Sequence, residues 1–242
     1  MSDSFDIDRE RCIVLGVIPY SDGRRIVRVL SESEGTLALW VAEGSGKKRQ
    51  VGKWHPGALL EISGLKRKGA EGLVRFREAR RAVIPETTLV DVRKSAVVFF
   101  LCELMMKLFP AESPHPEVFQ LAWKTMLRIE NESKVSWIHA EFLGQLIGLL
   151  GIAPQINPEA QADVLDLQSG EWKTYMGVAE DHLPSPLSHW FLNLCAGENA
   201  SDSGYHSALR NQLIQGQIRY LHHHLGGLAE IKSIQVLQSV FE

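Results

Sequence analysis

The hydrophobic pattern of the chain changes its period near Pro85, and this change constrains the fold more than any other feature of the sequence. Before Pro85, short runs of apolar and β-branched residues are separated by turn residues, as in a small β-domain. The five runs are CIVLGVIPY, RRIVRVLSE, TLALWVAEG, ALLEISGLK and LVRFREARRAVI. Their number and spacing predict a five-stranded OB barrel, with an SH3-like barrel as the second candidate.

After Pro85 the apolar residues recur at the period of a helix. Helices are predicted over residues 87–109, 117–129, 135–151, 185–197, 205–227 and 233–241. Residues 153–180 lose that period and contain the turn-rich run LDLQSGEW, which predicts a hairpin-like insertion. The predicted fold class is therefore α+β, with an all-β barrel over residues 1–84 and an all-α helical bundle domain over residues 85–242.

The charge of the chain is divided in the same way as its periodicity. The net charge of −3 is the sum of +5 over residues 1–84, from 16 Lys+Arg against 11 Asp+Glu, and −8 over residues 85–242, from 10 against 18. A basic first third joined to an acidic remainder indicates that the two parts meet different partners.

The loop EGSGKKRQVGK, from Glu43 to Lys53, has the composition of a phosphate-binding loop but not its spacing. A nucleotide-binding P-loop places a glycine five residues before its Gly-Lys pair and a hydroxyl residue after it. Around Gly46 and Lys47 those positions hold Val41 and Lys48. A contact with a polynucleotide backbone and a solvated basic loop without a ligand both remain possible interpretations.

Two histidine patterns also fail as catalytic or metal sites. The His139-Ala140-Glu141 sequence resembles the first half of a deaminase motif, but the required C-x-x-C is absent from the chain. We expect one of these two ionisable side chains to face solvent and the other to lie on a helix surface. His222, His223 and His224 point about 100° apart on a helix and cannot converge on one ion. The sequence therefore predicts no catalytic residue, no metal and no cofactor.

Cations and tryptophans in the β-region are the strongest candidates for a binding site. Cations along a barrel surface can follow phosphates, and aromatic rings can stack on bases. We predict that Trp40 belongs to the barrel wall, whereas Trp54 either stacks on bases or packs under a loop. In LVRFREARR, alternation predicts that Arg75 and Arg77 share one outward face. The candidate DNA-binding residues are Arg24, Arg25, Arg28, Lys47, Lys48, Arg49, Lys53, Trp54, Lys66, Arg67, Lys68, Arg75 and Arg77.

Three blocks of the chain resemble the RecO family of DNA repair and recombination mediators. They are the opening CIVLGVIPYSDGRRIVRVLSESEGTLALWVAEG, the central FFLCELMMKLFPAESPHPEVFQLAWKTML with FLGQLIGLLGIAP, and the closing IRYLHHHLGGLAEIKSIQVLQ. The order and spacing of the blocks carry the resemblance more than any single motif. Many members of the family have a four-cysteine zinc site after the central block, where this chain has no cysteine. We therefore expect a metal-free insertion in that place.

The resemblance implies a non-enzymatic mediator. Its OB domain would bind single- and double-stranded DNA and promote strand annealing. With RecR, and with RecF in some pathways, it would help to load RecA onto DNA coated by single-stranded-DNA-binding protein, whose C-terminal tail it would recognise. It implies a cytoplasmic, nucleoid-associated protein. The acidic, polar MSDSFDIDRERC predicts no secretory signal. No apolar run reaches the roughly 18 residues of a membrane span, which predicts no membrane segment. The alternatives are a protein-interaction scaffold with a solvated basic barrel, or a repair enzyme without a visible motif.

Overall fold

A closed barrel of five strands forms the first part of the chain. The computed structural model describes residues 4–20, 23–42, 53–67, 73–109, 113–155, 164–174, 181–200, 209–228 and 230–241. The strands are β1 (Ser4–Pro19), β2 (Arg24–Ser31), β3 (Gly35–Ala42), β4 (Leu59–Arg67) and β5 (Leu73–Arg81). They follow one another around the barrel in the order β1-β2-β3-β5-β4, and β3 and β5 pair in parallel. This closed five-stranded arrangement confirms the predicted OB fold.

The barrel core is built from alternate residues, as the strand periodicity predicts. Val27 and Val29 of β2 and Leu37 and Leu39 of β3 are all buried in it. The intervening residues of these strands therefore form the outer wall.

Strand β1 begins eight residues earlier than the sequence pattern predicts, at Ser4 instead of Cys12. Its first half pairs with β4 and its second half with β2. The first residues of β1 look polar in the sequence because Asp6 and Asp8, which face solvent, flank a single apolar residue. That residue, Ile7, is buried in the barrel core. A single inward apolar residue is too weak a signal to identify a strand by period alone.

In the described residues, six helices and a small sheet follow the barrel. The helices are α1 (Val92–Leu108), α2 (Pro116–Asn131), α3 (Ile138–Leu149), α4 (Leu187–Cys195), α5 (Arg210–His224) and α6 (Ser233–Phe241). The sheet contains β6 (Val164–Asp166), β7 (Trp172–Lys173) and β8 (His182–Pro184), in the order β7-β6-β8. The antiparallel β6–β7 pair confirms a hairpin in the region where the sequence predicts one.

Helix α1 starts at Val92 and not at residue 87, because Asp91 caps it. The Asp91 side chain accepts a hydrogen bond from the backbone N–H of Arg93 at 2.8 Å. The preceding residues 86–88 are held instead by the carboxylate of Glu130 in α2. The threonines of this segment are thus part of an anchored connection and not of the helix.

Contacts divide the chain into two compact units, Met1–Ser133 with Ile231–Glu242, and Lys134–Glu230. The first unit contains the barrel with α1, α2 and α6, and the second contains α3, α4, α5 and the small sheet. Helix α6 joins the first unit because Glu103 of α1 accepts the backbone N–H groups of Lys232 and Ser233, at 3.0 and 2.8 Å. The change from strands to helices falls near Pro85, whereas the contacts group the first two helices with the barrel.

Candidate nucleic-acid interface

The outer wall formed by β2, β3 and β5 presents arginines from two of its strands. Along β2, Arg24, Ile26 and Arg28 alternate with buried valines, so these three side chains lie on the outer side. On the neighbouring strand β3, Ile26 pairs with Trp40, and Arg75 of β5 is the parallel partner of Trp40. Strand pairing therefore brings the cations of β2 and β5 to the two sides of one tryptophan. Arg24, Arg28 and Arg75 are called the wall arginines below.

An aromatic pair lies beside the wall arginines. The Trp40 side chain is 41% exposed and Tyr20 is 63% exposed. Their ring centroids are 6.4 Å apart with the rings nearly perpendicular, and the guanidinium carbon of Arg24 is 5.1 Å from the centroid of Trp40. Trp40 thus lies in the barrel wall, but its ring is on the outer side. Alternation with the buried Leu39 could have located it there from the sequence, whereas the pairing with Tyr20 required the fold.

The wall arginines differ from other cations of the barrel in that they are not engaged with carboxylates. Across the described part of the chain, none of the three forms an ion pair. Lys66, a candidate DNA-binding residue, is a buried residue of β4 whose Nζ is 2.8 Å from Glu34 Oε2. The charge of this buried lysine is therefore neutralised by Glu34, which makes Lys66 a weaker candidate for binding phosphate than the wall arginines.

Arg75 and Arg77 are both exposed, but a β-bulge interrupts β5 at Arg77. The pairing of β4 with β5 shifts between Ser63 and Gly64, which leaves Arg77 as the extra residue of a β-bulge. Its guanidinium forms an exposed ion pair with Asp6 at 2.8 Å. A register shift of this kind has no periodic signature in the sequence, so alternation could not predict it, and a shared face for Arg75 and Arg77 stays a prediction.

The remaining candidates divide between residues that support the barrel and residues without a description. Lys53 Nζ donates to the carbonyl oxygen of Ala79 at 2.9 Å, and Trp54 is half-buried against the barrel core. Of the two interpretations of Trp54, packing is the one this geometry favours. Arg25 is exposed at the start of β2. Outside the described residues lie Lys47, Lys48, Arg49 and Lys68, together with the side chain of Arg67.

His139 and Glu141 are both buried in the second unit, so the expectation that they lie at the surface is wrong. Burial, and then the charge of Arg210, lower the pKa of His139 to about 3, and the imidazole is neutral at physiological pH. Glu141 accepts the backbone N–H of Ala200 at 2.9 Å. These residues therefore organise the interior of the unit.

The three consecutive histidines of α5 have three separate partners, which agrees with their predicted divergence. His222 binds the carbonyl oxygen of Leu228, His223 the carboxylate of Asp181, and His224 the carbonyl oxygen of Leu167. Within the ranges that the structure describes, no group of three or more His, Cys, Asp or Glu side chains could hold a metal ion.

The carboxylate of Asp166 organises the hairpin formed by β6 and β7. Asp166 accepts the backbone N–H groups of Gln168 and Ser169 at 2.9 and 3.1 Å and pairs with Lys173 at 2.5 Å. Burial alone would raise the pKa of Asp166, but these hydrogen bonds outweigh burial and lower it. The turn is thus held by an ionised side chain, and the absence of zinc stays a prediction.

The known proteins that resemble this chain belong to one family, and the similarity extends over nearly its whole length. The family described as "Recombination protein O N terminal" matches residues 5–82, and "Recombination protein O C terminal" matches residues 89–167. Relatives named "DNA repair protein RecO" include one from Flavobacterium psychrophilum, 25% identical over 96% of this chain and 98% of its own length. Another, from Azobacteroides pseudotrichonymphae, is 25% identical over 97% of this chain and 99% of its own length.

None of the helices in the described ranges combines the length and the hydropathy needed to span a membrane.

Proposed function

The chain belongs to the RecO family of DNA repair proteins, and on that premise we propose that it is a DNA-binding recombination mediator whose barrel contacts DNA through the wall arginines. One observation carries the choice of this surface. Arg24 and Arg28 of β2 and Arg75 of β5 lie on the two sides of β3 in one outer wall, and they form no ion pair with any described carboxylate. Lys66 and Arg77, by contrast, are neutralised by Glu34 and Asp6.

The proposed mechanism is electrostatic and does not require a chemical step. Wall arginines neutralise phosphates of single- or double-stranded DNA and release condensed counterions, which gives affinity without sequence preference. Holding two complementary strands on such surfaces would promote their annealing. The failed nucleotide-loop spacing at Gly46-Lys47 agrees with a mediator that hydrolyses no nucleotide.

The acidic part of the chain supplies protein contacts in this proposal. Residues 85–242 carry a net charge of −8, which repels phosphate and disfavours a second DNA surface of comparable strength. We assign to this part the contacts with RecR and with the C-terminal tail of single-stranded-DNA-binding protein. Through these contacts the protein would act on RecA loading, with RecF as a further indirect partner.

Reversing the wall arginines is expected to weaken DNA binding and to reduce its salt dependence. Each lost phosphate contact lowers the slope of log affinity against log salt by about 1, so Arg24→Glu/Arg28→Glu/Arg75→Glu should lower it by about 2 to 3. The measurement is the affinity for single- and double-stranded oligonucleotides between about 50 and 200 mM salt.

Arg80→Glu is the matched control, because it reverses a charge on the same strand as Arg75. Arg80 is exposed and pairs with Glu78 at 3.0 Å, so its charge is already compensated. We expect its affinity and salt slope to equal those of the unmodified protein. If the triple variant also keeps both values, the wall does not bind DNA, and a scaffold with a solvated basic barrel becomes the better interpretation.

A second charge reversal tests the basic loop separately. Lys47→Glu/Lys48→Glu/Arg49→Glu should lower the salt slope by a comparable amount if the loop adds phosphate contacts to those of the wall. An unchanged slope in this variant would remove the loop from the binding surface and leave the wall arginines as the proposed site.

A further inference from the structure

Tyr20 and Trp40 form an exposed aromatic surface, and phosphate binding by the wall arginines does not explain why these rings are exposed. Aromatic side chains contribute much of the buried contact area in binding interfaces, and contiguous exposed apolar surface rimmed by polar residues is typical of binding sites. Here both rings are exposed beside the wall arginines, Trp40 on β3 and Tyr20 just after β1, with their centroids 6.4 Å apart. We propose that this aromatic pair stacks on unpaired nucleobases and thereby gives the protein a higher affinity for single-stranded than for double-stranded DNA, an inference that rests on the proposed function.

The position of Tyr20 is defined by the backbone as well as by its neighbour. Its backbone N–H donates to the carbonyl oxygen of Arg24 at 3.0 Å, which closes the connection between β1 and β2. Trp40, on the adjacent strand β3, meets the Tyr20 ring at an interplanar angle of 82°. Because both anchors belong to the barrel, little side-chain freedom remains to be lost when a base stacks on the exposed Tyr20 ring.

Arg24 belongs both to the wall arginines, which are proposed to bind phosphates, and to the surroundings of the aromatic pair. Its guanidinium carbon lies 5.1 Å from the Trp40 ring centroid, so the group is held over the aromatic face while it remains exposed to solvent. A planar guanidinium can contact a phosphate at its edge and a base at its face. Tyr20, Arg24 and Trp40 can therefore contact a base and the adjoining backbone together.

Strand selectivity follows from the geometry of the nucleic acid. In a duplex both faces of every internal base are covered by neighbouring base pairs, so a ring on the barrel wall can reach only the backbone. In a single strand the faces are accessible, and stacking on an aromatic side chain contributes favourably for any base. The aromatic pair should therefore add affinity for single strands and none for duplexes.

The test compares Tyr20→Ala and Trp40→Ala with the unmodified protein on three probes at one salt concentration. The probes are a single-stranded oligothymidylate, an abasic strand of the same length, and a duplex. We expect each variant to bind the oligothymidylate about tenfold more weakly, as for loss of one stacked base. Affinity for the abasic strand and for the duplex should stay the same, as should the salt slope.

Two further variants separate stacking from a general loss of structure. Tyr20→Phe keeps the ring and should retain the full affinity for the oligothymidylate. Phe99→Ala removes an aromatic ring of similar exposure on α1, at 52%, and should leave all three affinities unchanged. Equal melting temperatures of the variants establish that the barrel is intact.

The outcomes distinguish this inference from the proposed function. If the unmodified protein binds none of the probes, the proposed function fails. If it binds DNA with the expected salt slope but Tyr20→Ala and Trp40→Ala retain full affinity for the oligothymidylate, only the stacking inference fails. A loss that is equal for single strand, abasic strand and duplex would also overturn it, because the rings would then support the backbone contact.

Discussion

Gly144→Val is expected to destabilise the second unit by about 3 kcal/mol, although helix propensity predicts a gain when a glycine is replaced within a helix. Gly144 lies in α3 where that helix meets α4. A Cβ at this position would lie 2.5 Å from the Cβ of Leu194 and 2.7 Å from the backbone carbon of the same residue. A backbone atom cannot move aside as a flexible side chain can, so the helices would have to separate.

Gly148 extends the same close approach by one turn of α3. A Cβ there would lie 2.6 Å from the carbonyl oxygen of Cys195. Two glycines four residues apart therefore give α3 a groove into which the backbone of α4 fits. This explains physically why FLGQLIGLLG carries glycines within a helix that is otherwise strongly apolar.

Urea or thermal unfolding of the full chain measures the effect of Gly144→Val. Leu149→Val is the matched control, because it places the same β-branched residue in α3 at a position that is 43% exposed. Its cost should be about 0.5 kcal/mol, as propensity alone predicts. If Gly144→Val is as stable as this control, the backbones of α3 and α4 do not approach each other as closely as described at Gly144 and Leu194.

Glu130→Gln is expected to have a comparably large effect, on the first unit and in a pH-dependent way. The Glu130 carboxylate accepts the backbone N–H groups of Glu86, Thr87 and Thr88 at 2.8, 2.7 and 3.1 Å, and the Thr88 hydroxyl at 2.5 Å. Its own carbonyl oxygen accepts Lys94 Nζ at 2.7 Å. One residue of α2 thus anchors the connection between β5 and α1. In Glu130→Gln the side chain has one acceptor oxygen in place of two, so it cannot accept all the hydrogen bonds that the carboxylate accepts.

The pKa of Glu130 gives the size and the sign of the effect. Burial alone would raise this pKa, but the Thr88 hydroxyl and the three backbone N–H groups outweigh burial and lower it from 4.5 to about 2. That difference corresponds to at most about 3 kcal/mol of stability. Because the folded pKa lies below the unfolded one, the contribution is complete above about pH 4.5 and is lost as the pH falls towards 2.

Unfolding free energies of the unmodified protein and Glu130→Gln should therefore differ by about 2 to 3 kcal/mol at neutral pH and converge as the pH falls below 4.5. Glu132→Gln, directly after the C-terminal end of α2, is the control. Glu132 is 42% exposed and makes a surface ion pair with Arg128, and its replacement should cost less than about 1 kcal/mol at neutral pH. A constant difference between the unmodified protein and Glu130→Gln at all pH values would contradict the assigned role of the carboxylate.

Local periodicity was sufficient to derive the architecture from the sequence. Alternating residues such as Val27, Val29 and Leu37 identify the inward face of a strand without knowledge of its partners, and they are buried in the barrel core. The change of period near Pro85 separated strands from helices for the same reason. The pattern missed the beginning of β1 and the bulge at Arg77, because both depend on the pairing of β4 with its neighbours β1 and β5.

The sequence by itself therefore determined the OB barrel, the helical region, the hairpin and the basic character of the first part of the chain, because each depends on residues close to one another along the chain. Only the tertiary structure decided which cations remain available to a ligand. Lys66 and Arg77 meet carboxylates more than 30 residues away in sequence, whereas the wall arginines meet none in the described residues. Burial of His139 and the pairing of Tyr20 with Trp40 likewise depend on distant elements that no local pattern encodes.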